Sequence, residues 1–172
     1  MCIRDRAQVG RHLCGQGYEE YIFFGNTRDI KYQGFVSALA AHDSDYRKHL
    51  TIITSKDSEE IRAALEVHFG GKGGRTGIFA YNDRRAIQML GILQQMGIRV
   101  PEEAGLVGFD NTYMCEIVYP RLSSVSQPNE EMASIAVRRL IDRIDHPEEN
   151  DVMDQPLTAQ MMPRESSAGK QN

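Results

Sequence analysis

Residues 78–128 read IFAYNDRRAIQMLGILQQMGIRVPEEAGLVGFDNTYMCEIVYPRLSSVSQP, and two short apolar segments in and around this stretch decide the fold class. Gly77 to Tyr81 and Gly105 to Phe109 each read as a buried strand. Each runs directly into a polar motif, Tyr81-Asn82-Asp83 and Gly108-Phe109-Asp110-Asn111. Between them Ala86, Leu90 and Leu93 recur at helical spacing as far as Met96, and Gly97 supplies an exit. Strand, helix, strand in this order predicts two neighbouring parallel strands. Both polar motifs then emerge at the carboxyl edge of one sheet, where open α/β sheets hold ligands. Two carboxylates and two amides at that edge make a site for a polar small molecule.

The same alternation extends upstream. A helix around Ala7 to Gly17 precedes a strand at Tyr21 to Phe24, a helix from Thr27 to about His42 and a strand at Leu50 to Ile53. Gly34 inside the second helix costs about 1 kcal/mol relative to Ala, which predicts close packing there. Asp57 or Ser58 can cap the next helix, whose Ile61, Ala64, Leu65 and Phe69 form a buried stripe. The run from Gly70 to Gly77 follows a helix and opens a strand, the reverse of a phosphate loop, so it reads as a connection.

Downstream the pattern loosens. Met114 to Val118 fits a short helix and Leu122 to Val125 a brief strand. Gln127-Pro128 opens a long helix with Met132, Ile135, Ala136, Leu140 and Ile144 on one face, and Pro147 ends it. Glu148 to Asp154 reads as a solvated loop and Leu157 to Met162 as a last strand. The polar tail from Ser166 to Asn172 has nothing to pack and is expected to be disordered.

Composition excludes several classes. At 172 residues, 41% hydrophobic and 26% charged, the chain has room for one core or for part of a larger two-lobed one. No apolar run approaches the roughly 20 residues of a membrane helix. The amino terminus lacks a signal peptide's apolar core, so a cytoplasmic setting and no membrane partner are expected. Cys2, Cys14 and Cys115 are scattered and odd in number, as free thiols are. A net charge of −4 with dispersed basic residues speaks against nucleic acid gripped by this chain's own surface.

The residues from Ile78 to Pro128 resemble the effector-binding region of LacI/GalR-type bacterial transcription regulators. The likeness continues through KYQGFVSAL at 31–39, which is similar to that family's RxxGFxxAL helix, and MMPRESS at 161–167, which is similar to its closing strand. The resemblance implies an α/β, periplasmic-binding-protein-like type I fold: a mostly parallel sheet flanked by helices, one lobe nearly complete plus a segment of the other. Residues 7–125 would be the second lobe, 126–150 a segment returning to the first, 151–167 the closing strand region and 168–172 a disordered tail. Met1 to Arg6 fits neither the family's linker nor a helix-turn-helix and is expected to be non-native or disordered. On this reading the chain is a fragment retaining one cleft wall. Its partners are a small-molecule effector, expected to be a sugar; a second copy in the full-length regulator; and DNA only through a missing amino-terminal domain.

The resemblance also implies site residues. Positions matching Asn82 and Asp110 contact effector in the family, and an Arg matching Lys31 completes the set. Lys keeps that charge and loses the planar fork. Thr27, one turn before Lys31, faces the same edge, Asn111 adjoins Asp110, and Tyr113 and Phe24 could wall the cleft against a sugar's apolar face. Gln127 matches a residue that senses closure, although it could simply end a strand. Either Asn82 or Asp83 could cap the helix that follows; Asn82 is expected to face ligand and Asp83 to be structural.

An enzyme is not expected. The sequence holds no GxSxG elbow or HExxH motif, and His12, His42, His49, His68 and His146 share no ligand spacing. No cofactor is called for. A sugar-binding protein of a transport system is the alternative with the same two-lobed plan, and a signal peptide upstream would mark it.

Overall fold

Alternating apolar residues make the four strands of the central sheet two-faced, and the helices between them cover both faces. In the computed structural model, which describes residues 7–71, 74–147 and 157–168, the elements run in order. They are α1 Gln8–Gly15, β1 Glu20–Phe24, α2 Ile30–His42, β2 Leu50–Ile53, α3 Ser58–Gly71, β3 Thr76–Ala80, α4 Asp83–Gln95 and β4 Ala104–Val107. After these come α5 Met114–Ile117, β5 Ser124–Ser126, α6 Asn129–Asp145 and β6 Gln160–Met162, with 3-10 turns at Tyr46–His49 and Glu165–Ser167.

Strands β2-β1-β3-β4 form one sheet, and all its pairings are parallel. The register places Phe79 beside Val107, so the Asn82 and Asp110 loops leave adjacent strands at the same edge. Gly17 and Gly97 take φ near +73° at the exits of α1 and α4, the left-handed turn a helix end favours glycine for.

Side chains alternate across the sheet as strand geometry requires. Ile22, Phe24, Ile78, Ala80 and Leu106 pack with Ile61, Leu65, Met89 and Leu93 of α3 and α4. Tyr21, Phe23, Phe79 and Val107 pack with Val9, Leu13, Phe35 and Leu39 of α1 and α2. Phe79 sits 5.5 Å from Phe23 and 5.4 Å from Phe35, centroid to centroid. Truncating such a buried ring costs roughly 3–5 kcal/mol. The helices α1 and α2 close against each other at Gly10, where a Cβ would lie 2.6 Å from Ala38 Cβ.

Four expectations are corrected. The helix drawn from Thr27 starts at Ile30, because Asp29 is extended and its carboxylate accepts the Lys31 N–H at 2.8 Å, leaving Thr27 on the preceding turn. The brief strand drawn at Leu122–Val125 is Ser124–Ser126. Leu122 N–H instead bonds Cys115 O, and Ser123 N–H bonds Ser166 Oγ. The last strand shortens to Gln160–Met162, antiparallel to β5. Ser166 and Ser167, drawn as unpacked tail, are fully buried: Ser166 Oγ donates to Leu106 O at 2.6 Å and Ser167 Oγ to Ser123 Oγ at 2.7 Å. Residues 1–6, the whole Glu148–Asp154 loop and residues 169–172 lie outside the described residues.

The long helix α6 has its expected apolar face and no residue of it is buried. Met132, Leu140 and Ile144 are all exposed.

Candidate functional site

The loop after β4 is built to display Asp110. Asp110 has φ 106° and Asn111 φ 48°, a left-handed conformation that Asp and Asn tolerate better than most residues and that still carries strain of about 1–3 kcal/mol. Three consecutive backbone donors hold it. Asp110 N–H bonds Val125 O at 2.9 Å, Asn111 N–H bonds Ser124 Oγ at 3.0 Å and Thr112 N–H bonds Asp83 Oδ2 at 2.7 Å. Ser124 Oγ in turn donates to Asp83 Oδ1 at 2.5 Å. Gly108 is required beside this anchor, since a Cβ there would overlap the Asp83 carboxylate.

Lys31, Asp110 and Gln127 come together from α2, the β4 loop and the segment before α6. Gln127 Nε2 donates to Asp110 Oδ1 at 3.0 Å. Lys31 Nζ donates to Tyr81 O at 2.7 Å and lies 4.0 Å from the centroid of the buried Phe109 ring. Burial pushes the Asp110 carboxyl above its ordinary range, against the pull of the Lys31 ammonium; Asp83 pushes it further up and the Gln127 hydrogen bond pulls it down. The result is a half-buried carboxylate with open lone pairs, flanked by a cation and an amide. Such a group orients hydroxyls.

The other expected residues divide. Asn82 caps α4, its Oδ1 accepting the Arg85 N–H at 3.0 Å, so half of its amide is committed to the helix. Thr27 is half-buried on the turn after β1, at the same edge. Tyr113 projects into solvent, 77% exposed. Asn111 is committed elsewhere, its Oδ1 accepting from Arg164 Nη2 at 2.9 Å. Phe24 belongs to the core: it is 1% exposed, with the Arg85 guanidinium 5.5 Å from its ring centroid, and it offers no face for stacking here.

Sequence reasoning missed the depth of the Asp83 role and all of the Arg164 role. Asp83 is buried and caps nothing; it ties α4 to the β4 loop and β5. It also adds to the burial that pushes the adjacent Cys115 thiol up to about 12. Arg164 Nη1 donates to Leu122 O at 2.9 Å, so one guanidinium clasps both Leu122 and Asn111. No local periodicity signals these contacts. The adjacent serines Ser123-Ser124 inside an expected strand were the available hint.

The family model of the periplasmic binding protein-like domain matches residues 11–167. The chain belongs to the periplasmic binding protein-like domain family of the LacI-type regulators. It is 28% identical over 116 residues to a probable HTH-type transcriptional repressor, ExuR, of Bacillus subtilis, covering 67% of this chain and 35% of that one. It is 27% identical over 141 residues to the repressor PurR of Pectobacterium carotovorum, covering 79% and 41%. Among solved structures, a LacI family regulator from Enterococcus faecium with bound ribose superposes at TM-score 0.81 with 25% identity, over 96% of this chain and 63% of that one. A counterpart from Enterococcus faecalis, also with ribose, gives 0.78 and 26%, over 96% and 61%. The LacI-type chain thus spans less than half the length of these two curated relatives. Its parallel sheet with flanking helices is the type I fold expected from the sequence. No helix among its described residues is long and apolar enough to cross a membrane.

Proposed function

We propose that this chain is the effector-sensing part of a LacI-type transcriptional regulator and binds a sugar at the edge formed by Lys31, Asn82, Asp110 and Gln127. The observation that carries this reading is the Asp110 carboxylate, held at positive φ by three backbone bonds and joined by Gln127 and Lys31. Strain of this kind persists where the surrounding contacts over-determine it, and a ligand clamp is a common place for it. Residues 7–125 and 151–167 act as one lobe, and residues 126–150 reach the other. The exposed apolar face of α6 supports that division.

Effector closes the two lobes and shifts the population between two interlobe angles, to the extent that it binds one better than the other. In a homodimer that angle sets the spacing of the DNA-reading heads. Operator contact is made by a domain outside these 172 residues, in the cytoplasm, and the chain catalyses no reaction. Two relatives are repressors and two structural neighbours are LacI family transcriptional regulators with bound ribose, which supports this assignment.

In the full-length regulator, Asp110→Ala should weaken effector response and leave operator affinity unchanged, as read by fluorescence anisotropy with a sugar panel. Loss of operator binding in the unliganded variant would make Asp110 a structural residue and remove the basis of this reading.

A further inference from the structure

Arg164, two residues past β6, keeps its charge away from water. Its side chain is 12% exposed, where Arg99 and Arg121, which also meet glutamates, are 69% and 58% exposed. Its ion pair is the loosest of the three. Arg99 and Arg121 hold their glutamates at 2.8 and 2.6 Å, whereas Arg164 Nη2 lies 3.4 Å from Oε1 of Glu116, a side chain 70% exposed. The short bonds of Arg164 go to neutral acceptors instead: Nη1 donates to Leu122 O and Nη2 to Asn111 Oδ1, both at 2.9 Å. Withdrawing a cation from water without a close counter-ion costs stability. What the guanidinium supplies here is geometry, a planar fork whose two arms reach two separate acceptors.

Both acceptors bear on position. Leu122 lies just before β5, and the next residue locks the Arg164 backbone: Arg164 N–H donates to Ser123 Oγ at 2.7 Å and Ser123 Oγ donates to Arg164 O at 2.9 Å. Strands β5 and β6 are antiparallel partners, and α6 lies between them in the chain. Arg164 is thus fastened to the strand that leads into α6 and to the one that returns from it. Its second arm crosses to Asn111, the neighbour of Asp110. The backbone of Asn111 sits at φ 48° with its N–H on Ser124 Oγ, and the side-chain bond to Arg164 is a second attachment of the same residue. Asp110, held at φ 106°, accepts from Gln127 Nε2 with a carboxylate whose direction follows the backbone of these two residues.

We propose that Arg164 is a positioning residue of the effector site: through the Asn111 side chain it fixes the direction in which Asp110 presents its carboxylate. This inference rests on the effector-site reading above and adds to it a residue from the segment that closes the lobe. Lysine is no substitute, because a single ammonium lacks the two arms of the fork.

The first test needs no ligand and uses amide exchange of the 15N-labelled chain. In Arg164→Lys the 110–112 amides should exchange at least about tenfold faster, the scale of one lost hydrogen bond to a charged group, while those of β1 and β3 keep their rates. Asn111→Gly removes the acceptor and accepts the positive φ, so it should do the same. Adding Arg164→Lys to Asn111→Gly should then change the 110–112 rates little further, as two substitutions of one interaction do. Unchanged 110–112 rates in Arg164→Lys would overturn the proposal. So would equal acceleration in β1, β3 and the loop, which marks a residue serving the fold alone. If Arg164→Lys does not fold, parent rates at 110–112 in Asn111→Gly overturn it.

The second test reads the operator-binding response of the full-length regulator to ribose, galactose and glucose. Arg164→Lys should raise the sugar concentration for half response at least about tenfold and leave operator affinity without sugar unchanged. A parent-like response in Arg164→Lys, with the response lost in Asp110→Ala, would overturn this inference and leave the effector reading standing. A response that survives Asp110→Ala would overturn both, and a parent that answers none of the three sugars would do the same.

Discussion

Asp83 Oδ2 accepts the Thr112 N–H at 2.7 Å, so a carboxylate at the start of α4 fixes a loop 29 residues further along the chain. The same carboxylate accepts from Ser124 Oγ, which itself accepts from Asn111 N–H. Asp110 immediately precedes both bonds, and its own N–H bonds Val125 O. Its strained backbone is therefore set by bonds to α4 and β5.

Replacing Asp83 removes both acceptors at once. Asp83→Ala leaves the buried Ser124 hydroxyl proton and the Thr112 N–H without acceptors, at a cost of roughly 2–4 kcal/mol, and Asp83→Asn, which keeps one acceptor, costs about half as much. Urea unfolding of the two variants measures this. A loss below about 0.5 kcal/mol for the alanine variant, the range of ordinary surface changes, would show that the loop holds itself.

In the proposed site, the Asp110 carboxylate is held at a cost in stability. Burial raises its folded pKa above the ordinary 3.8, so the native state holds that proton more tightly than the unfolded chain. The stabilising contribution is fully present below the ordinary value and is lost as pH rises through the raised one. Asp110→Asn escapes the loss and keeps an oxygen for Gln127 Nε2. The variant should gain thermal stability relative to the parent on going from about pH 4 to about pH 7, while its sugar response weakens. A parent that gains relative to the variant over that range would reverse the assignment.

The helix α6 depends on something these residues do not provide. Its 17 residues include none that is buried, and an isolated helix of that length is marginal in water. Its amides should exchange with solvent at least about a hundredfold faster than those of α4, whose Met89, Leu90 and Leu93 are in the core. Equal protection would mean that a second copy covers the apolar face, and sedimentation would then find a dimer.

What the sequence made legible follows from range. Periods of 2 and 3.6 are local, and they placed β1, β2, β3, α3 and α4 within a residue or two. Helix ends depend on which side chain turns back to the backbone, and so Asp29 rather than Thr27 decides where α2 begins. At the site, residue type pointed to Asp110 and Asn82, and only the family resemblance pointed to Lys31, whose charge acts on Asp110, whereas Phe24 looked like a cleft wall because a strand-end aromatic carries no mark of the face it takes. Ser166 and Ser167 look unpackable as polar residues near a terminus. Their burial depends on Leu106, 60 residues away from Ser166, and on Ser123, 44 away from Ser167.

His12 bonds α1 to that buried serine cluster at the 165–167 turn, and its burial, opposed by the Ser167 bond, makes the contact sensitive to pH. Ser167 Oγ donates to Ser123 Oγ, and Ser123 Oγ donates to Arg164 O at 2.9 Å. With both hydroxyl protons assigned, the 2.7 Å contact from His12 Nε2 to Ser167 Oγ needs its proton on the histidine, a tautomer fixed by the network. Burial lowers the His12 pKa below 6.5, so the folded state resists the second proton that the unfolded chain accepts. The corresponding stability is present above that ordinary value and is lost as pH falls toward the folded one. Thermal melts of the parent should therefore drop between about pH 7.5 and about pH 5.5, the interval in which histidine changes charge. His12→Gln, whose amide can still donate to Ser167, should drop less over the same interval. Parallel slopes for the two proteins would mean that His12 is already free to take its second proton in the folded state, because neither a hydrogen bond nor a neighbouring carboxylate would then separate its folded and unfolded titrations.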